Sequence, residues 1–205
     1  MALTDERFLK VRQERTNARA AAKALFKAGQ AGDDSQFLYQ LHQLRNTIYG
    51  GTLAMRQIAR LGRVSKEIQS AFALIWTADK HLPCADSRAF LDAMRVLFQP
   101  YQGPAMRLFR GAAADEARKR KFYGPSWTTD FETADYFAKQ YEDSQIGGVV
   151  FETLAPRESI ISAPCLDAPY YETENGERMY DESEYLVDGR RLASVKIVRR
   201  YTGQR

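Results

Sequence analysis

The stretch FYGPSWTTDFETADYFA (residues 122–138) places a turn, an extended run and the start of a helix in immediate succession. Its Gly-Pro pair predicts the turn. Ser126 and Thr128 then alternate with Trp127, so both hydroxyls should face one side of an extended segment and the indole the other. Asp130, or the threonine before it, is the expected N-cap of an amphipathic helix that follows. The stretch therefore predicts a short strand leading directly into a helix.

The residues on both sides of this stretch form short β-rich runs that are separated by turns. Together with the helix after Asp130 they predict an α+β sheet domain over residues 101–205. The predicted strands are MRLFR (106–110), GGVVFETL (147–154), SIISA (159–163), SEYLVD (183–188) and LASVKIVRRY (192–201).

The first hundred residues have helical rather than strand periodicity, which predicts a helical N-terminal region over residues 1–100 that packs with the sheet as one compact domain. A long helix is expected from Thr4, its cap, to about Ala28, with Gly29 just past its end. Further helices are predicted at 35–49, ending before a Gly-Gly pair, at 52–61, around an apolar stripe at 68–76, and after Asp86.

Charge is unevenly distributed along the chain. Residues 1–70 contain 12 Lys and Arg against 6 Asp and Glu, whereas residues 166–188 contain 8 acidic residues against one arginine. A basic surface suits nucleic acid, an anionic ligand or an acidic partner, although a solvated helix face explains it equally well. The basic residues of the first helix recur every three or four positions along one face. They are Arg12, Arg15, Arg19, Lys23 and Lys27.

Several classes of protein and site are disfavoured. No apolar run approaches the roughly 20 residues of a membrane span, and the charged N-terminus does not resemble a signal peptide, so we expect a cytoplasmic protein. Two cysteines are too few for a disulfide framework. The chain has neither a P-loop nor a G-x-G-x-x-G motif. His81 and Cys84 have no second ligand pair, so we expect no metal.

Three polar clusters lie on or beside predicted strands. Arg110 ends the first strand and is followed by Gly111, whose missing side chain would let a ligand approach the backbone. Ser126 and Thr128 form the second cluster. The third is a pair of carboxylates, Glu182 and Glu184, flanking one serine. Each cluster alone is more often a surface feature than a site; their joint order is what favours a site.

That order resembles the R-S-E class of mono-ADP-ribosyltransferases, of the type found in bacterial toxins and in conflict with phages. In that family an arginine on the first strand precedes a Ser-Thr-Ser segment with an "xA..FA" helix, and an E/Q-x-E motif follows. Here the corresponding residues are Arg110, "SWTT" with "ADYFA", and "ESEYLV". The resemblance covers about residues 104–201, and it implies a split β-sheet core that binds NAD.

The resemblance also implies a role for each matching residue. Arg110 would hold a phosphate of NAD, and Gly111 would offer its backbone to the nicotinamide amide. Ser126 would hold the catalytic glutamate, Glu184, which binds the nicotinamide ribose and stabilises its oxocarbenium-like transition state. Glu182 would steer or deprotonate the acceptor.

Two residues beside Ser126 depart from the family's commonest form. Thr128 replaces a serine, a benign exchange of hydroxyls that leaves it supporting the strand. Trp127 would place an aromatic ring beside the nicotinamide pocket.

The acceptor is the least determined part of the expectation. In the family the loop before the last glutamate meets the acceptor, and here it contains Tyr170, Tyr171 and Tyr180 among acidic residues. These acids and Glu182 favour an arginine side chain of a protein. The alternatives are hydrolysis of NAD, ADP-ribosylation of RNA or DNA guided by the basic first helix, and an inactive binding module. A toxic enzyme would also require a neutralising antitoxin or immunity partner.

Overall fold

The computed structural model describes residues 2–47, 49–78, 84–118, 123–163 and 184–203. In these residues the chain forms six α-helices and one six-stranded antiparallel sheet, which confirms the α+β class predicted from the sequence. It divides into two compact units, Met1–Gln99 and Pro100–Arg205. The first unit is helical and the second contains the sheet.

The helical unit contains five helices. Its core includes the predicted apolar stripes, since Ile68, Phe72 and Trp76 are buried and Met94 and Leu97 are buried as well. The helices are α1 (Ala2–Ala31), α2 (Asp34–Arg45), α3 (Gly50–Leu61), α4 (Lys66–Ala78) and α5 (Ser87–Leu97).

Helix α1 is longer than the sequence predicts at both ends. It begins before Thr4, so Thr4 is not its cap, and it ends at Ala31, followed by Gly32, whose positive φ of 73° a glycine adopts without strain. Gly29 lies inside the helix for a packing reason. A Cβ at this position would lie 2.5 Å from Cδ1 of Leu61, so the missing side chain lets α1 and α3 pack closely.

Helix α2 also differs from its prediction. It ends at Arg45 rather than Tyr49, and Asn46 is its C-cap. The two glycines that were expected to interrupt the helical region, Gly50 and Gly51, instead form the buried first turn of α3.

The sheet unit has the strand order β4-β5-β2-β1-β3-β6, and all neighbouring strands are antiparallel. Its only α-helix in the described residues, α6 (Phe131–Lys139), packs on one face. The strands are β1 (Met106–Ala113), β2 (Ser126–Thr128), β3 (Gly148–Ala155), β4 (Ile160–Ser162), β5 (Glu184–Val187) and β6 (Lys196–Tyr201).

Two strand boundaries differ from those predicted by more than one residue. Arg110 does not end β1, because the strand continues to Ala113 in eight consecutive pairs with β3. The last strand begins at Lys196 rather than Leu192, because Asp188 caps a single 3-10 turn, Gly189–Arg191, that uses the residues between β5 and β6. The predicted strand and helix of residues 122–138 are both present, and Asp130 is the cap.

The sheet is paired unequally on the two sides of β1. Whereas β1 and β3 pair at eight positions, the described residues of β1 and β2 pair at one, Phe109 with Thr128. We call the space between the two strands beside this pair, next to Arg110 and Ser126, the seam.

No described helix is both long and apolar enough to cross a membrane.

Candidate active site at the seam

Arg110 spans the seam. Its Nη1 donates a hydrogen bond of 2.9 Å to the backbone carbonyl oxygen of Ser126 in β2. Its other edge contacts Glu116, in the 3-10 turn that follows β1, with Nε 3.3 Å from Oε2 and Nη2 3.1 Å from Oε1. The guanidinium is therefore fixed by three contacts, and its side chain is 17% exposed.

The turn before β2 is built around this guanidinium. A Cβ on Gly124 would lie 2.1 Å from Nη2 of Arg110, so any other residue here would make the guanidinium move from this position. The backbone N–H of Gly124 donates to Oε2 of Glu116 at 3.4 Å, and its carbonyl accepts a 3.1 Å hydrogen bond from Nε1 of Trp127. The sequence predicted neither Glu116 nor Gly124 as part of the site, because their importance depends on contacts across six to fourteen positions of the chain.

The register places Glu184 directly opposite Thr128. Paired residues in an antiparallel sheet point to the same face, so the carboxylate and the hydroxyl are neighbours on the face that carries Phe109. Ser126 pairs with Leu186 and is therefore diagonal to Glu184 on that face, within reach of a long side chain. The resemblance implied that Ser126 holds the glutamate; the register makes Thr128 the nearer hydroxyl.

Thr128 also organises the start of α6. Its Oγ1 accepts the backbone N–H of Asp130 at 3.1 Å, and its own hydroxyl proton can still be donated towards a carboxylate. Asp130 in turn accepts from the N–H groups of Glu132 and Thr133. The Thr133 hydroxyl donates to Asp130 at 2.6 Å. This bond and the backbone bonds hold the pKa of Asp130 below its usual value, although burial acts to raise it. The hydroxyl run thus links the seam to the helix.

Arg110 and Glu184 approach the seam from different strands. They are separated by β2, which is two strand spacings or about 10 Å of backbone. Alternation along β1 directs Arg110 to the face of Leu108 and Ala112, opposite to the face of Glu184. The two side chains therefore leave the sheet on opposite faces.

Gly111 has a packing role in this structure. A Cβ here would lie 1.9 Å from the carbonyl oxygen of Ala134 and 2.6 Å from the backbone nitrogen of Ala138, both in α6. Its missing side chain thus brings a helix, rather than a ligand, close to β1 on this face. The role of its backbone towards nicotinamide stays a prediction.

Trp127 is a core residue. It is 2% exposed and packs in the cluster that includes Leu108, Phe151 and Val187. Tyr123 contacts it edge-on at 6.1 Å between ring centroids. The indole lies on the face opposite to Ser126 and Thr128, as the alternation predicted, and core packing accounts for it; a place for Trp127 beside nicotinamide stays a prediction.

The acceptor residues of the sequence prediction, Glu182, Tyr170, Tyr171 and Tyr180, lie outside the described residues.

A second polar cluster, absent from the sequence prediction, joins α6 to β6. Asp135 is 2% exposed; Tyr201 donates its hydroxyl to Oδ1 at 2.6 Å, and Arg199 contacts the same oxygen at 2.9 Å. Nζ of Lys139 lies 3.5 Å from Oδ2. Burial raises the pKa of Asp135, but these hydrogen bonds and positive charges outweigh it and lower the pKa below the usual value. The sequence signal was an aspartate on the apolar face of a predicted helix.

The described residues contain no group of three or more His, Cys, Asp or Glu side chains that could hold a metal ion. Comparison with known proteins found no matching family model, curated protein or solved structure.

Proposed function

We propose that the protein is an NAD-dependent mono-ADP-ribosyltransferase whose active site is the seam. The observation that carries this proposal is the placement of Arg110 and Glu184 on either side of β2, with Thr128 paired to Glu184. The sequence resemblance implied an arginine on one strand and a glutamate beside a hydroxyl residue on another, and these two positions in the sheet support the proposal.

The chemistry of the reaction suits these groups. Nicotinamide leaves as a neutral pyridine when the N-glycosidic bond breaks, because its ring nitrogen takes the bonding electrons and loses its positive charge. Positive charge then develops at C1 of the ribose, where the Glu184 carboxylate stabilises it electrostatically. The guanidinium of Arg110 matches the diphosphate of NAD in charge and geometry.

The acceptor completes the reaction by attacking C1 with a lone pair and losing a proton. We propose an arginine side chain of a protein as the acceptor, with Glu182 taking the proton and Tyr170, Tyr171 and Tyr180 on the acceptor-binding loop, as the sequence implies. With water as the acceptor, the same site would be an NAD glycohydrolase.

The test uses NAD labelled on the adenylate phosphate, a cell lysate, and the wild-type protein beside its Glu184→Gln variant. Glu184-dependent label that protease removes supports the proposal. Glu184-dependent free ADP-ribose without macromolecular label would replace it with a glycohydrolase. Absence of any Glu184-dependent turnover of NAD would overturn it.

A nucleic-acid acceptor is the second candidate, and one observation favours it. The five basic residues that line one face of α1, from Arg12 to Lys27, are all exposed. Ala18, Ala22 and Leu25 of the same helix are buried. In this case nuclease would remove the label. Binding of RNA or DNA would also fall on the order of 100-fold between 50 and 200 mM salt, because about five phosphate contacts release counterions. Salt-insensitive binding would exclude this role for the helix.

A further inference from the structure

The Arg110 fork already holds an anion in this structure, and that anion is the carboxylate of Glu116. The Nε and Nη2 donors of the guanidinium lie 3.3 and 3.1 Å from the two carboxylate oxygens. Arginine offers this same edge to two oxygens of a phosphate. Glu116 therefore occupies the position that a bidentate phosphate would take.

The Glu116 carboxylate and a phosphate cannot occupy this edge of Arg110 together, because both are negatively charged. The Arg110–Glu116 pair has no net charge, so it attracts a diphosphate weakly, and the carboxylate repels a phosphate that approaches the same edge. The pair is nevertheless exchangeable. The side chains of Arg110 and Glu116 are 17% and 20% exposed, so solvent and an incoming anion can reach the pair.

The rest of the Arg110 environment does not depend on Glu116. The 2.9 Å hydrogen bond from Nη1 to the Ser126 carbonyl, and the space above Gly124, hold the guanidinium at the seam from the other side. Loss of the Glu116 carboxylate would therefore free one edge of a guanidinium that remains in place.

We propose that Glu116 is the intramolecular competitor for the Arg110 anion site and thereby sets the affinity of the seam for the diphosphate of NAD. This inference rests on the proposed function, which assigns a phosphate to Arg110. It assigns Glu116 an affinity-determining role that is distinct from the role of Glu184 in bond cleavage.

The experiment measures KM and kcat for NAD, and the Kd for ADP-ribose by calorimetry, with wild type and Glu116→Gln. The glutamine keeps the shape of Glu116 and removes its charge, so KM and Kd should fall about fivefold, with kcat within about twofold. Glu116→Asp, which keeps the charge, should change them less. Asp115→Asn alters net charge equally in the same turn and is the matched control; it should leave both constants unchanged.

The outcomes separate this inference from the proposed function. Unchanged constants in Glu116→Gln, or an equal fall in Asp115→Asn, would overturn the role of Glu116 alone. Weaker binding or a lower kcat in a Glu116→Gln protein with wild-type circular dichroism and Tm would show that the residue orients Arg110 instead. If neither wild type nor Glu116→Gln binds ADP-ribose or turns over NAD, the proposed function fails as well.

Discussion

The two sides of the sheet, divided at the seam, are built differently. On one side β1, β3 and β6 pair extensively, with eight positions between β1 and β3, and α6 packs directly on their glycines. On the other side β2, β5 and β4 are three or four residues long, and polar side chains stand where the strands meet. From this difference we expect substitutions on the first side to lower stability, and the proposed function places Glu184, Thr128 and Ser126 on the second side.

This division is what a split site requires. Groups that act on a ligand must be fixed in position yet remain reachable, and continuous strand pairing leaves no room for a ligand between strands. Here Arg110 belongs to the well-paired β1, while its guanidinium reaches the carbonyl of Ser126 on the other side. In the proposed site, the pairing of β1 with β3 holds Arg110 in position, and the ligand reaches its guanidinium from the side of β2.

The largest expected effect is on catalysis. Glu184→Gln should lower the turnover of NAD by at least about 100-fold, because the charge opposite the developing cation is lost while the shape is kept. The matched control is Glu152→Gln, the same exchange on β3, where Glu152 pairs with the exposed Arg107 at 3.1 Å. The control should retain turnover within about twofold; equal losses in both variants would contradict the division.

The second effect is on stability. Gly111→Ala places a methyl group against the backbone of α6, at 1.9 Å from the carbonyl oxygen of Ala134, and neither element can move freely. We expect about 3 kcal/mol of destabilisation, measured by urea unfolding. A stable Gly111→Ala protein would show that α6 is not tightly packed on β1.

The third effect tests the cluster that ties α6 to β6. Asp135→Asn removes the charge that faces Arg199 and Lys139 and should lower the free energy of unfolding by about 2 kcal/mol. Tyr201→Phe removes a single hydroxyl donor and should cost about 1 kcal/mol. In both variants, NAD turnover per folded molecule should remain at the wild-type level.

The same cluster gives stability a pH dependence with a definite sign. Because the folded protein lowers the pKa of Asp135, the contribution is complete above the ordinary aspartate pKa of about 4 and is lost as the pH falls below it. The free energy of unfolding, measured between pH 2 and 7, should therefore depend less steeply on pH for Asp135→Asn than for the wild type. If the free energy of unfolding changed with pH by the same amount in both proteins, the lowered pKa of Asp135 in the folded protein would be contradicted.

The smallest effect sharpens the comparison at the seam itself. Gly124→Ala would place its Cβ 2.1 Å from the end of the Arg110 side chain, which can move aside, unlike the backbone that Gly111→Ala meets. We expect about a tenfold rise in KM for NAD and less than about 1 kcal/mol of destabilisation. The two glycine variants should thus separate, one losing stability and the other affinity. Destabilisation as large as that of Gly111→Ala would show that the seam also supports the fold.

Local chemistry explains which features could be predicted from the sequence. The helical and β-rich halves, the capping by Asp130 and the opposite faces of Trp127 and the two hydroxyls follow from periodicity and hydrogen-bonding rules over a few residues. Helix ends were less predictable. Glycine often ends a helix, yet Gly29 lies within one, because its missing side chain makes room for Leu61. That contact could not be predicted locally, since Leu61 is distant in sequence.

The sequence alone determined the α+β class and the positions of most helices and strands, and it is the source of the proposed chemical set Arg110, Ser126, Thr128 and Glu184. Tertiary structure decided how that set is arranged. It paired Glu184 with Thr128 rather than Ser126, and it gave the fork of Arg110 to Glu116. The physical reason is the distance along the chain over which each kind of interaction acts. Propensities and alternation act between neighbours, whereas register and ion-pair partners depend on which distant segments pack together.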